Sequence, residues 1–172
     1  MITQTKNMKK TLLLFGLLIS SLTYSQQEIK LDIADALVIK SLEFSYENYL
    51  SKENSFGISA LFNVEKQNKD FRYNENLMIT PYFRHYFSTD EVWNVFGEAF
   101  IGVNSGKKES IKDSGIYDVN YTDGALGIAI GTKYISSSGL IIDVHAGAGR
   151  NLFLSNSPTI VPRLGVHVGW RF

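Results

Sequence analysis

The sequence predicts an all-β fold, an eight-stranded antiparallel up-and-down transmembrane β-barrel, and three observations support this prediction. Residues 164–172 read LGVHVGWRF and alternate without a break between large apolar side chains and small or charged ones, as side chains on opposite sides of a strand do. Glycine (14 residues) and aromatics (13%) are abundant and proline (3 residues) is scarce, which is typical of many strands joined by tight turns. Candidate strands recur along the chain, most with about the 9–11 residues that a tilted strand needs to cross a bilayer.

The first 25 residues predict a secretory signal peptide. Lys9 and Lys10 precede the apolar run Leu12–Ile19, and Thr23 and Ser25 supply the small residues of a cleavage site. An apolar core of this length is far below the roughly 20 residues of a transmembrane helix. We therefore expect residues 1–25 to be removed and residues 26–172 to form one outer-membrane β-barrel domain; translation starting at Met1 or at Met8 is compatible with the pattern.

Composition excludes several classes of site and partner. Removal of the signal peptide changes the formal charge from 0 to −3, because three lysines leave with it, so a nucleic-acid partner is not expected. The chain has no cysteine, which excludes disulfides, cysteine-ligated metals and a lipid anchor on cysteine.

The candidate strands and the gaps between them follow the barrel pattern. The strands are Ile29–Ala36, Ser41–Leu50, Ser55–Val64, Leu77–Phe87, Val92–Val103, Asp123–Ile135, Leu140–Asn151 and Val161–Phe172. Short gaps at Ser51–Asn54, Ser88–Glu91 and Ser136–Gly139 alternate with long gaps at Gln67–Asn76, Asn104–Thr122 and Leu152–Ile160. Short periplasmic turns and long external loops alternate in this way in outer-membrane barrels. The first gap departs from the pattern, because it is short where a long external loop belongs.

The two faces of these strands differ in polarity. One face is apolar, as in Leu42, Phe44 and Tyr46 or Leu126, Ile128 and Ile130, and we expect it to contact lipid because an eight-stranded interior has little room for such bulk. Aromatic residues near the periplasmic ends predict an interfacial girdle: Tyr46, Phe87, Trp93, Tyr134, Trp170 and Phe172. The inward residues predicted to form a lumen charge network are Glu43, Glu47, Arg84, Glu98, Lys133, Asp143, His145, Arg163, His167 and Arg171.

The predicted network contains four acidic and four basic side chains besides its two histidines. Such a balance suits a closed, narrow interior, since an unpaired charge away from water is unfavourable. Arg84 and Glu98 lie on strands joined by the turn at Ser88–Glu91, and counting back from that turn places them opposite each other or one diagonal step apart.

Candidate catalytic chemistry is sparse. Asp143 and His145 share a face, and Ser155 and Ser157 follow in the next loop, whereas a hydrolase needs a nucleophile, a histidine and a carboxylate together. We interpret Asp143 and His145 as lumen groups that satisfy one another, and His167 as a satisfied interior histidine. The three histidines lack metal-ligand spacing, so no metal, cofactor or catalytic residue is predicted.

Several stretches resemble a known family. They are Ile79–Phe87 (ITPYFRHYF), Gly97–Gly106 (GEAFIGVNSG), Gly127–Lys133 (GIAIGTK), and Gly147–Phe153 (GAGRNLF) followed by Val161-Pro-Arg. With these, residues 28–172 resemble the small outer-membrane β-barrels of Bacteroidota that form a family of unknown function, with an OmpX-like architecture. The resemblance implies an eight-stranded barrel in the bacterial outer membrane and no activity. It also implies that Val168, Trp170 and Phe172 form a signal read by the barrel-assembly machinery.

We therefore expect a non-enzymatic, monomeric outer-membrane barrel with a filled polar lumen. Outer-membrane lipid and lipopolysaccharide would surround it, and its external loops would carry a structural or adhesive role toward a ligand that the sequence does not identify. One alternative is a lipid-modifying enzyme, which needs a Ser/His/carboxylate cluster at one rim. Another is a narrow pore, which needs a continuous water path through the lumen.

Overall fold

The computed structural model describes residues 26–64, 75–89, 92–112, 115–154 and 156–172. They form a closed barrel in which each strand pairs antiparallel with the next and the first pairs with the last, which confirms the predicted fold class. The strands are β1 (Gln27–Asp32), β2 (Ser41–Tyr49), β3 (Asn54–Asn63), β4 (Glu75–Tyr86), β5 (Trp93–Lys112), β6 (Gly115–Ile135), β7 (Leu140–Asn151) and β8 (Ile160–Arg171). The predicted signal peptide lies outside the described residues.

The predicted end of the first strand is wrong. β1 ends at Asp32, four residues before Ala36, and the chain then forms a one-turn π-helix over Asp35–Ile39. Asp32 Oδ1 accepts the N–H of Asp35 at 3.0 Å, and Lys40 closes the turn in the left-handed region at φ 50°. The first connection is therefore a structured turn, which explains why its gap looked too short for a loop.

The predicted loop over Asn104–Thr122 is also wrong, because β5 and β6 continue through it. Their register runs from Trp93↔Tyr134 to Lys112↔Gly115, whereas β4 pairs with β5 only as far as Gly106 and β7 pairs with β6 only as far as Ala125. Within the described residues, the pairs from Lys107↔Asn120 outward therefore form a two-stranded ribbon without a third paired strand, which we call the β5–β6 ribbon; Lys108 Nζ donates from it to the Ser157 carbonyl at 3.3 Å. At about 3.4 Å per residue it extends roughly 20 Å beyond the barrel.

The outer and inner surfaces of the barrel have opposite polarity. Side chains in the predicted lipid-facing rows are exposed, Ile128 by 71% and Ile130 by 61%, which confirms the predicted facing. Large apolar side chains on this outer surface include Phe44, Phe56, Ile58, Ile79, Phe83, Val95, Ile101, Leu126, Val144 and Leu164. Many charged side chains of the strands are instead buried inside the barrel, among them Glu47, Arg84 and Lys133, the reverse of a soluble barrel, whereas Arg150 near the loop end of β7 is exposed.

The two ends of the barrel are also different. At one end, which we call the turn end, lie Gln26, Phe172 and the short turns at residues 50–53 and 136–139, and the rings of Trp93 and Tyr134 lie 5.5 Å apart in the aromatic girdle. Gly139 adopts φ 96° in its turn, where a side chain would be strained. The opposite, loop end carries the π-helix, the β5–β6 ribbon and the β7–β8 connection. Among the residues described, no helix is both long and apolar enough to cross a membrane.

Candidate functional site in the barrel lumen

Ten charged side chains among the described residues form a continuous series of alternating sign through the lumen, which we call the charge chain. In order of contact they are Arg171, Glu28, Lys133, Glu47, Lys30, Asp143, Arg84, Glu98, Arg163 and Glu43. All except Arg171 are at most 4% exposed. Five cations therefore face five carboxylates, and each buried charge has a neighbour of opposite sign, the condition under which charges are tolerated away from water.

The charge chain begins at the turn end with Glu28. Arg171 Nε donates to Glu28 Oε1 at 3.0 Å, and Lys133 Nζ donates to Glu28 Oε2 at 2.7 Å. The Arg171 side chain is 17% exposed, and its guanidinium lies 4.5 Å from the centre of the Tyr49 ring. The chain is thus partly solvated at this one terminus.

Glu47 is the hub of the charge chain. Its carboxylate accepts hydrogen bonds from Lys30, Lys133 (2.9 Å), Arg84 (3.1 Å), Ser55 (2.6 Å) and Tyr86 (2.6 Å). These donors come from four strands other than β2. One carboxylate therefore connects opposite walls of the barrel.

Arg84 occupies the middle of the charge chain. It lies directly opposite Glu98 in the β4–β5 register, and its Nε donates to Glu98 Oε2 at 2.7 Å. Its Nη1 donates to both Asp143 and Glu47. The guanidinium carbon lies 4.1 Å from the centre of the Phe96 ring, which adds a cation–π contact.

An apolar cluster fills the lumen toward the loop end. Its members are each at most 4% exposed: Leu61, Met78, Tyr82, Phe100, Ala125 and Val161. Small residues make room for it: a Cβ on Gly127 would lie 2.4 Å from the Phe100 ring, and one on Gly149 would lie 2.9 Å from it. Side chains therefore occupy the lumen at two successive levels, one charged and one apolar.

Two stacked histidines lie beside the end of the charge chain. The register places His167 opposite both Asp32 and Asp143, and the rings of His145 and His167 stack with centroids 5.1 Å apart. His145 Nδ1 lies 3.3 Å from Asp143 Oδ1, so Asp143 and His145 do contact each other. His167 Nε2 lies 3.7 Å from Asp32 Oδ2 and 3.6 Å from Glu43 Oε1.

The interpretation of His167 as a satisfied histidine is wrong for the described residues. Neither of its ring nitrogens has a hydrogen-bond partner there, and the same holds for His145 Nε2 and Asp32 Oδ2. Just outside the lumen, burial and the carboxylates of Asp32 and Glu43 raise the pKa of Asp35 to about 7. This end of the lumen therefore combines unsatisfied polar atoms with an excess of negative charge.

The other predicted residues lie apart from this cluster. His85 is exposed on the outer face, with Nδ1 3.0 Å from Asn54 Oδ1. Trp170 and Phe172 point outward, 50% and 63% exposed, and Val168 on the same face is half-buried. Phe172 lies beside β1, where its N–H donates to the carbonyl of Gln27 at 3.0 Å.

The loop end lacks a catalytic cluster in the part of the chain that the structure describes. The Ser157 hydroxyl donates to Asp123 Oδ2 at 2.5 Å, and Asp123 also accepts the N–H groups of Phe153 and Leu154. No histidine joins this group, so Asp123 serves to anchor the β7–β8 connection. Ser155 lies outside the described residues.

Sequence reasoning missed three members of the site, all in β1: Glu28, Lys30 and Asp32. They alternate with Ile29, Leu31 and Ile33, and this alternation was the available signal. It was obscured because the predicted strand started at Ile29 and continued into the π-helix, where the two-residue period is lost.

Comparison with protein-family models and with curated proteins found no match. Among solved structures, the chain is similar to the N-terminal β-barrel domain of Pseudomonas aeruginosa OprF, with a TM-score of 0.56 and 14% identity over 86% of this chain and 96% of that one. It is also similar to Neisserial surface protein A, with a TM-score of 0.51 and 11% identity over 86% of this chain and 92% of that one. Identities this low establish a shared barrel fold and nothing finer.

The surface of the barrel determines its environment. A closed eight-stranded barrel with an apolar exterior and a charged interior is the architecture of bacterial outer-membrane proteins, which satisfy every backbone group within the sheet. The predicted location in the bacterial outer membrane is therefore confirmed.

Proposed function

We propose that this protein is a small non-enzymatic outer-membrane barrel whose closed body supports a structural or adhesive loop end on the cell surface. The β5–β6 ribbon carries the proposal, because roughly 20 Å of paired strand extends beyond the membrane-spanning part where the barrel itself needs no such length. The even number of strands and the short turns support a periplasmic turn end and an external loop end.

Adhesion is tested by shortening the ribbon. Residues 107–120 would be replaced by Asn-Gly, which favours a two-residue hairpin turn, and both forms displayed in the outer membrane of a host that lacks the protein. We expect the full-length form to increase attachment of cells to matrix-coated surfaces or to one another, and the shortened form to lose this increase. The control is a heat-modifiability gel showing that the shortened barrel is assembled; equal attachment by both forms would contradict the adhesive role.

The packed lumen favours a closed barrel over a narrow pore. The charge chain and the apolar cluster occupy successive levels of the lumen, which opposes a continuous water path. In planar bilayers we expect the purified protein to show no steady conductance, while Phe100→Ala, which removes a large aromatic side chain of the apolar cluster, serves as a comparison. Steady conductance by the unmodified protein would replace this proposal with the pore alternative.

The arrangement of polar groups at the loop end favours a non-enzymatic role over lipid modification. The described residues there offer Ser157 and Asp123 without a histidine, whereas Asp143 and His145 are buried inside the barrel. We expect the mass spectrum of lipid A and phospholipids to be the same in host cells with and without the protein. A new lipid species that disappears on Ser157→Ala would revive the enzymatic alternative.

We also propose that Val168, Trp170 and Phe172 are recognised by the barrel-assembly machinery, and that the assembled barrel is a monomer surrounded by lipid and lipopolysaccharide. The outward direction of Trp170 and Phe172 supports recognition from outside the barrel. Deleting Trp170–Phe172 should leave degraded or aggregated protein in the periplasm, whereas Arg171→Ala should still assemble. Normal membrane levels of the deletion would count against recognition.

A further inference from the structure

One buried carboxylate lies outside the balanced charge chain. Asp32 is 0% exposed, yet the chain of alternating charges ends at Glu43, and the ion-pair contact of Asp32 among the described residues is with the His167 ring, whose Nε2 lies 3.7 Å from Asp32 Oδ2. Asp32 Oδ1 accepts the N–H of Asp35, but Oδ2 has no hydrogen-bond partner among the described residues. A buried, uncompensated carboxylate is strongly unfavourable, so this position calls for a cation.

His145 is oriented as a metal ligand would be. Its Nδ1 lies 3.3 Å from Asp143 Oδ1, and because an ionised carboxylate only accepts hydrogen bonds, Nδ1 carries the proton of the neutral ring. Nε2 is then a free electron-pair donor, and it has no partner among the described residues. Metal-ligating histidines are characteristically held by a carboxylate on the opposite ring nitrogen in this way.

Two of the free atoms border the space at Gly165, and ligand atoms of His145 and His167 lie within 4.8 Å of each other and of Asp143. An idealised Cβ on Gly165 would be 2.5 Å from Asp32 Oδ2 and 3.0 Å from His145 Nε2. His167 Nε2 lies 3.7 Å from Asp32 Oδ2 and 3.6 Å from Glu43 Oε1. The missing side chain of Gly165 leaves the room, and strands β1, β7 and β8 supply the donors.

We infer that this space binds a divalent transition-metal ion of the Zn²⁺ class through Asp32, His145 and His167, with Glu43 Oε1 as the nearest further oxygen. Imidazole nitrogen and carboxylate oxygen are ligands that Zn²⁺ takes in proteins, and its two positive charges compensate the carboxylates that the charge chain leaves over. Because Asp32 is on β1 and His167 on β8, the ion fastens the junction where the barrel closes. The three ligands are far apart in sequence, so their spacing gave no indication of the site.

The test uses the purified full barrel in detergent, stripped with a chelator and then titrated with Zn²⁺ by calorimetry. We expect one equivalent to bind, with affinity reduced tenfold or more by His145→Gln and by His167→Gln. The third histidine provides a matched control: His85→Gln, on the outer face, should bind Zn²⁺ as the unmodified protein does. Bound Zn²⁺ should also raise the melting temperature of the unmodified barrel, and at the same Zn²⁺ concentration it should raise that of the His167→Gln variant less.

A second variant keeps the test decisive if a histidine variant fails to assemble. Gly165→Ala retains every ligand and fills the space between them, and its Cβ would meet the movable ends of side chains, so a heat-modifiable barrel is expected. Its Zn²⁺ affinity should fall tenfold or more. The inference is overturned if the unmodified protein binds no Zn²⁺, if Gly165→Ala or His167→Gln binds as tightly as the unmodified protein, or if His85→Gln abolishes binding.

Discussion

Both halves of the lumen contain buried ionisable side chains, but these side chains have partners of opposite charge in one half and lack them in the other. From the turn end to Glu98, every buried charged side chain contacts one or more of opposite sign. The Glu47 carboxylate, for example, contacts three cations. Beside β1 and β8 at the other half, the ionisable group that Asp32 contacts among the described residues is an imidazole, and the atoms without a partner there include a carboxylate oxygen and ring nitrogens, whereas toward the turn end they belong to neutral side chains such as Asn48 and Asn94. Paired charges serve stability, whereas a buried carboxylate and imidazole nitrogens without partners require another explanation, such as a bound ion.

Removing a cation from the paired half should have the largest effect. Arg84→Ala removes one cationic partner each from Glu98, Asp143 and Glu47, and loss of one partner of a buried pair costs about 3–5 kcal/mol. The measurement is the free energy of unfolding in urea, followed by tryptophan fluorescence of the barrel in detergent. A loss below about 1 kcal/mol would mean that water replaces the guanidinium and that the half is not sealed.

The double variant Arg84→Ala/Glu98→Ala tests whether this loss comes from the pair. It should be less destabilised than Arg84→Ala alone, because the carboxylate that has lost one of its two cationic partners is removed as well. Recovery should be partial, since Arg84 also donates to Asp143 and Glu47. Strict additivity of the two single changes would contradict direct contact.

A charge on the outer face of the barrel should have the next largest effect. Ile128→Arg places an unpaired cation against lipid on a fully outward position, and near the bilayer midplane this costs roughly 2–4 kcal/mol. Asn120→Arg, on the same strand but in the β5–β6 ribbon, is the matched control and should be neutral. If the two variants are equally stable, position 128 does not contact lipid.

Arg171→Ala should have a smaller effect, although Arg171 belongs to the charge chain. Its side chain is partly solvated, and Glu28 keeps Lys133 as a partner at 2.7 Å. We expect a loss of about 1–2 kcal/mol, the range for a hydrogen bond to a charged group, in the same urea measurement. A loss as large as that of Arg84→Ala would mean that Arg171 is as inaccessible to water as the buried members of the charge chain.

Asp32→Asn is the change that should cost no stability when metal is absent. Asparagine keeps the oxygen that accepts the Asp35 N–H and removes the unpaired charge, so the free energy of unfolding in a chelator should not fall and should rise. Should Asp32→Asn cost as much as Arg84→Ala, the two halves of the lumen would not differ as described.

Much of the fold follows from the sequence because a bilayer imposes a strict two-residue alternation on every strand. This alternation correctly separated Ile128 from Ala129, and β7 has the bounds that it predicts. It does not apply outside the membrane, which is why the polar residues after Asn104 predict a loop although they continue β5. For the same reason, the alternation does not locate the ends of strands that continue beyond the membrane.

The candidate site was less predictable because it depends on strand register. The β4–β5 turn is short, so the opposition of Arg84 and Glu98 follows from counting. The β7–β8 connection is long and leaves the register of His145 and His167 undetermined by the sequence. Their meeting with Asp32 further requires the barrel to close, since Asp32 lies on the first strand and His167 on the last.

The pairing of β1 with β8 also imposes an order on folding. Every other strand pair is local, joined by one turn or loop, whereas this junction brings together residues as far apart as Glu28 and Arg171. The bonds of the charge chain that involve β1, such as Lys133 to Glu28, cannot form before that closure. An open sheet inserted in lipid would expose these charges, so the rate-limiting event in assembly should be the loop-closure step that joins the two terminal strands, and it should be slow because of its high contact order.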